Sequence, residues 1–141
     1  MMGRFPYQKM AYYPHMKPED VAIWNRFIEA YPTFFDRCDY DVCVGEGRMP
    51  EDDHPEKYLQ AWKTLTQKKI DVVGYRGDEI WIIEVKPRAR ANALGQIWMY
   101  DELYKDMFEP TTEPKNLIVT DQYDLDTDRV AQSGNVRIIV V

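Results

Sequence analysis

Cysteine, histidine and net positive charge are all scarce in this chain, and each scarcity closes off a class of function. The two cysteines, Cys38 and Cys43, and the two histidines, His15 and His54, form no Cys-x-x-Cys pair, so a structural zinc site has almost no donor set. On a shared strand, the odd spacing of the cysteines sends them to opposite faces, which argues against a mutual disulfide and for two buried thiols. The 18 Lys and Arg fall short of the 24 Asp and Glu, for a formal net charge of −6. That balance argues against a protein that coats nucleic acid by bulk charge, so any contact with a polyanion must be local. No apolar run is long enough to span a membrane. The stretch from Met1 to Pro18 mixes Arg4, Lys9 and Lys17 with aromatic residues and three prolines, unlike a signal peptide. A soluble cytoplasmic protein with no membrane partner is the expectation.

What is present points to one domain. A length of 141 residues with 45% hydrophobic side chains suits a single core over residues 1–141, with 1–17 as an extended N-terminal arm. The 10 Tyr, 5 Phe and 4 Trp imply packing by large rings. After Pro18, the recurrence of Val21, Trp24, Ile28 and Tyr31 predicts an amphipathic helix stopped by Pro32. From Asp36 to Gly47, partial alternation sets Tyr40, Val42 and Val44 on one face of a strand and Asp39, Asp41 and Cys43 on the other. Met49 to Pro55 reads as a surface loop, and Glu56 to Gln67 as a short helix or turn carrying Tyr58, Leu59, Trp62 and Leu65. Two antiparallel strands, Lys69 to Tyr75 and Glu79 to Lys86, are joined at Arg76-Gly77-Asp78. The second is apolar on both faces, as a strand covered on both sides should be. Pro87 ends it by removing a donor and holding Lys86 extended. A helix follows from about Arg90 to Phe108, then a buried strand over Asn116 to Thr120 and a last strand over Val136 to Val141. Asp124, Asp126 and Asp128 resemble half of a calcium loop, but Arg129 stands where glycine is needed, so an acidic surface loop is expected. The order helix, strand, strand, strand, helix, strand predicts an α/β fold, a mixed central sheet flanked by helices.

The chemistry gathers at the hairpin. Side chains alternate along a strand, so Glu84 and Lys86 share a face while Val85 takes the other. Antiparallel pairing brings Asp71, at the beginning of one strand, beside the end of the next. Two carboxylates and an ammonium thereby converge. Asp71, Glu84 and the carbonyl of Val85 are oxygen ligands suited to a hard divalent cation. Such a cation lowers the pKa of a bound water from about 16 towards about 7, supplying a nucleophile for attack on phosphorus. Lys86 would orient that water or offset developing charge. The competing reading is a structural salt bridge, but burying ions is costly and a central apolar strand rarely ends in two charges without a task. Lys68, Lys69, Arg88 and Arg90 flank the position as candidate phosphate contacts or solvated loop ends. His54, beside Asp52 and Asp53, reads as a loop histidine.

Ile70-Asp71-Val72-Val73 followed by Ile83-Glu84-Val85-Lys86-Pro87 resembles the signature of the PD-(D/E)XK nuclease superfamily, with Ile70 where the motif has proline. Gln96 and Tyr100, one helical turn apart, match the Gln-x-x-x-Tyr pattern of its RecB-type branch. The match covers about Lys69 to Lys105. The resemblance implies a restriction-endonuclease-like core and a deoxyribonuclease that hydrolyses phosphodiester bonds with Mg²⁺ or Mn²⁺. It also implies DNA as partner, with room for a homodimer or a larger nucleoprotein assembly, and an origin in a phage or mobile element. Asp71, Glu84 and Lys86 would be catalytic, with Gln96 and Tyr100 helping to hold the site and the DNA. Many such nucleases place an acid on the first helix, for which Glu29 is the candidate, off the Val21, Trp24, Ile28 stripe. The alternative is a catalytically silent member of the fold serving as a DNA-binding or assembly component.

Overall fold

The computed structural model describes residues 3–48 and 56–141; the loop expected from Met49 to Pro55, with Asp52, Asp53 and His54, lies outside them. In chain order the elements are β1 (Phe5–Pro6), α1 (Pro18–Ala30), β2 (Arg37–Val44), α2 (Glu56–Thr66), β3 (Lys68–Arg76), β4 (Glu79–Val85), α3 (Ala91–Phe108), β5 (Lys115–Thr120), α4 (Leu125–Ser133) and β6 (Val136–Val140). α1 starts at Pro18 with Glu19 and Asp20 in its first turn, where a missing N–H costs nothing and negative charge suits the helix dipole. α3 stops at Glu109, which takes a left-handed conformation at φ 44° while its N–H bonds back to the Lys105 carbonyl.

The six strands form one sheet in the order β1 to β6. The first four are antiparallel to their neighbours, and β4, β5 and β6 run parallel. Parallel neighbours need crossovers, supplied here by α3 and α4. α1 covers one face, where Ile23, Trp24, Phe27 and Ile28 pack on Tyr40, Val72, Ile83, Leu117 and Val119. α3 and α4 cover the other, where Ala93, Leu94, Ile97, Tyr100 and Ala131 pack on Ile70, Val73, Ile82 and Ile118. The fold is thus the expected α/β arrangement of three layers around a mixed sheet. Trp24 is fully buried and donates its indole N–H to Tyr40 Oη at 3.0 Å. Trp24→Ala should cost about 3–5 kcal/mol, read as a lower urea midpoint at unchanged m-value.

Three features depart from the sequence reading. The acidic stretch is no loop: Asp124 caps α4, its carboxylate accepting from the Thr127 N–H at 3.0 Å and the Thr127 hydroxyl at 2.6 Å. The short helix expected after Glu56 forms as α2, but Tyr58, Trp62 and Leu65 are exposed on it. Tyr40, Val42 and Val44 do not share a face, since Tyr40 points to the α1 layer whereas Val42 and Val44 point to the α3 layer. β3 makes the same exchange, with Ile70 towards α3 and Val72 towards α1. Both switch at one rung, where Asp41 stands opposite Asp71: the ladder pairs Tyr40 with Val72 and Val42 with Ile70 but omits the pair between them, and Asp41 has φ 54°. Side-chain alternation thus slips within a continuous register, at the position that carries a candidate site residue.

Candidate metal centre and cleft

β3 and β4 pair from Val72–Ile83 to Arg76–Glu79, so the next rung sets Asp71 against Glu84. The break in alternation turns the Asp71 carboxylate across to β4, where Oδ2 accepts from the Val85 N–H at 2.9 Å. The two carboxyls also lie within electrostatic reach of each other. They stand at the carboxyl ends of the parallel strands, where open α/β sheets place ligands. The residues after β4 are pinned there. Lys86 N–H donates to the Val119 carbonyl at 2.9 Å, Arg88 N–H to Asp121 Oδ1 at 2.8 Å, and Ala89 N–H to Thr120 Oγ1 at 3.0 Å. Arg88 takes φ 47° to do so.

A cleft of about 750 Å³ opens at this end of the sheet. Asp71, Glu84, Val85, Lys86 and Arg88 form its base; Gln96 and Tyr100 of α3 bound one side, and His15, Lys17 and the first turn of α1 the other. Glu84 is only 5% exposed. Burial, then the neighbouring Asp71 charge, holds its carboxyl well above the usual range. Burial raises Asp71 as well, against the pull of the Val85 N–H. Without a cation the pair therefore keeps a proton that separate carboxylates would lose. Tyr100 is raised by burial first and then by Glu84 and Asp71, which keeps its phenol protonated.

The structure brings Asp71, Glu84, Val85, Lys86, Gln96 and Tyr100 to one cleft. It does not bring Glu29, whose carboxylate pairs with Lys9 Nζ at 2.6 Å on the exposed side of α1. The acid that α1 presents is Asp20, which lies within electrostatic reach of Lys86, Asp71 and Glu84. Its signal was in the sequence: Asp20, Trp24 and Phe27 are spaced i, i+4, i+7, so this acid lies on the buried stripe itself. His15 was also missed; it has φ 56° and pairs with Asp41 at 3.4 Å, on the rung where the ladder breaks. Of the expected basic rim, Arg88 lines the cleft, whereas Lys69 Nζ bonds the Thr64 and Gln67 carbonyls and Arg90 bonds Gln122 and lies near Asp124.

Among the described residues, no three His, Cys, Asp or Glu side chains stand close enough to hold an ion by themselves. A two-carboxylate set completed by backbone oxygen and water is what the cleft offers. Glu84 Oε2 and Gln96 Oε1 are buried there without a hydrogen-bond partner. Two orphaned acceptors beside a carboxyl pair fit a hard cation, which needs oxygen donors and no hydrogens.

No family model matches the chain, and no curated protein matches it. Among solved structures it is similar to a repair endonuclease from Pyrococcus abyssi, at 13% identity and a TM-score of 0.52, covering 92% of this chain and 49% of that one. It also matches the protein of unknown function AF1548, at 15% identity and TM-score 0.48, over 80% of this chain and 52% of that one. Protein VC1899 from Vibrio cholerae matches at 13% identity and TM-score 0.47, over 94% of this chain and 36% of that one. The chain thus spans about half or less of the length of each. At these identities the likeness is one of fold: this is an endonuclease-like α/β fold, a mixed six-stranded sheet with four helices among the described residues. No helix among the described residues is long and apolar enough to cross a membrane.

Proposed function

We propose that this protein is a divalent-metal-dependent nuclease that hydrolyses phosphodiester bonds in DNA, belonging to the PD-(D/E)XK superfamily on its RecB-type branch. The observation that carries this is the carboxyl pair of Asp71 and Glu84, converging beside Lys86 in an open cleft with Glu84 Oε2 unpartnered. Asp71, Glu84 and the Val85 carbonyl would hold Mg²⁺ or Mn²⁺. When bound, such an ion polarises a phosphoryl oxygen and lowers the pKa of water towards about 7. Asp71, tied to the Val85 N–H, keeps one ligand oxygen fixed against the β4 backbone. Lys86 places an ammonium beside the reacting phosphate to orient water or offset developing charge. Gln96 and Tyr100 bound the site from α3, and Asp20 of α1 lies within electrostatic reach of Lys86 and the carboxyl pair, outside the two-carboxylate ligand set. Lys17 and Arg88 give an otherwise acidic protein its local grip on phosphate. The remaining reading, a catalytically silent DNA-binding or assembly component, has no observation that favours it.

The test is cleavage of nicked, linear, branched and single-stranded DNA with Mg²⁺ or Mn²⁺. Lys86→Ala should lower the rate by about 10²–10³-fold, and Asp20→Asn by at least about tenfold, with Glu29→Gln equal to wild type. Failure of the wild type on every substrate, or a Lys86→Ala rate equal to wild type, would remove the enzyme reading. Cation binding is checked separately by a thermal midpoint that rises with ion concentration.

A further inference from the structure

A second cavity, of about 720 Å³, opens at the opposite end of the sheet, where β4, β5 and β6 begin. It lies about 20 Å from the carboxyl pair, the length of the seven-residue β4, and its size suits a small molecule. Asp101 of α3 and Asn116 of β5 line it, each only 8% exposed. Asp101 Oδ2 is held by Lys105 Nζ at 2.8 Å. Asp101 Oδ1 and Asn116 Oδ1 are buried with no donor among the described residues, a costly state for two acceptors. Both belong to the α3 layer, since Asn116 stands two residues before Ile118 on that side of β5.

Trp98 forms part of the wall. Its indole N–H donates to the Gly134 carbonyl at 3.2 Å, and a Cβ at Gly134 would come within 2.5 Å of the ring. The glycine thus lets the turn before β6 lie against the indole and anchor it, while the residue stays 37% exposed. With its one donor spent, the indole has only its π surface to offer a ligand. Two of the three cations at the rim are committed: Lys105 also bonds Glu113, and Lys115 bonds Glu79. Arg137 is exposed, lies over the Phe34 ring at 5.7 Å and has no acidic partner among the described residues.

We propose that this cavity binds a free guanine nucleotide, at a site separate from the cleft and independent of the nuclease reading. Two buried acceptors call for two donors, and among the common bases guanine alone carries adjacent N–H donors, at N1 and N2, on its Watson–Crick edge. The Trp98 ring supplies a surface on which a base stacks, and Arg137 suits a phosphate group. One uncommitted cation, rather than a row of them, fits a mononucleotide better than a strand.

The experiment is isothermal titration calorimetry without divalent cations, using guanosine, inosine and adenosine monophosphates, guanosine itself and a trinucleotide with a central guanine. Inosine monophosphate keeps the N1 donor but lacks the 2-amino group, so it should bind at least about tenfold more weakly than guanosine monophosphate, and adenosine monophosphate more weakly still. Removing the phosphate from the ligand or the guanidinium by Arg137→Ala should each raise Kd about tenfold, with no further loss when the two are combined. Asp101→Asn should raise the Kd of guanosine monophosphate at least about tenfold, an unchanged thermal midpoint showing that the fold is intact. Asp71→Asn, in the cleft, should bind it as the wild type does. No binding of guanosine monophosphate at millimolar concentration would mean that water alone completes the two acceptors, and would overturn the site. Equal Kd values for the three monophosphates overturn it too, as does an Arg137→Ala variant equal to wild type. Loss of binding in Asp71→Asn would place the ligand in the cleft instead, and a trinucleotide that binds as tightly as the mononucleotide would refute a site for the free form.

Discussion

Asp71→Asn is expected to lower the cation-dependent cleavage rate by roughly 10²–10³-fold or more, on the scale set by removing one charge-stabilising group from an active site, while leaving the fold intact. The amide keeps an oxygen that can accept the Val85 N–H, which Asp71 Oδ2 accepts at 2.9 Å, but it removes the charge that competes for a cation. Asp71→Ala should lose activity to the same extent and also strand the Val85 N–H, a further cost of about 1–3 kcal/mol for an unsatisfied donor, offset in part because a buried charge disappears. The two variants thus separate chemistry from folding. Cleavage assays alongside urea denaturation read both axes. Asp71→Asn with near wild-type cleavage would mean that the Asp71 charge holds no ion, leaving Asp71 as a backbone anchor for β4.

The second large effect is on stability against pH in the metal-free protein. Burial and the Asp71 charge hold the Glu84 carboxyl well above its ordinary range. The folded state therefore keeps a proton that the unfolded chain gives up near the usual carboxylate pKa. Above that point the native state binds more protons, so stability falls as pH rises, by about 1.4 kcal/mol per pH unit for each proton retained. The fall ends where Glu84 itself ionises. Metal-free protein should thus lose roughly 2–4 kcal/mol between pH 5 and pH 8 through this group. A cation must displace the retained proton, so its apparent affinity should climb over the same range. At about 100 times its Kd it should restore about 2.7 kcal/mol. Glu84→Gln should flatten the metal-free profile and abolish the cation response. A midpoint independent of both pH and Mg²⁺ in the wild type would count against the carboxyl pair as a cation site.

How much of this was legible beforehand follows from the range of the forces involved. The β3–β4 hairpin and its Gly77 turn, the end of β4 at Pro87, and the one-turn spacing of Gln96 and Tyr100 are set by neighbours within a few residues. Periodicity and turn chemistry report such features directly. The start of α4 is local as well, since Asp124 caps Thr127 three residues on, but the acidic run carries no apolar stripe of helical period to mark it. Glu29 already lay off the Val21, Trp24, Ile28 stripe, and in the fold it pairs with Lys9 on the exposed side of α1, whereas Asp20 shares the buried stripe of Trp24 and Phe27.

From the sequence alone came the strand and helix spans around the motif, the residues of the cleft base and the condition that any contact with a polyanion be local. All of these follow from spacing along the chain and from composition. Only the tertiary structure decided that β2 and β3 exchange faces at Asp41 and Asp71, and that Glu84 is buried with an oxygen unpartnered. Those depend on which surfaces meet across the sheet, and burial there sets both the direction of the carboxylates and their hold on a proton. No local pattern encodes that.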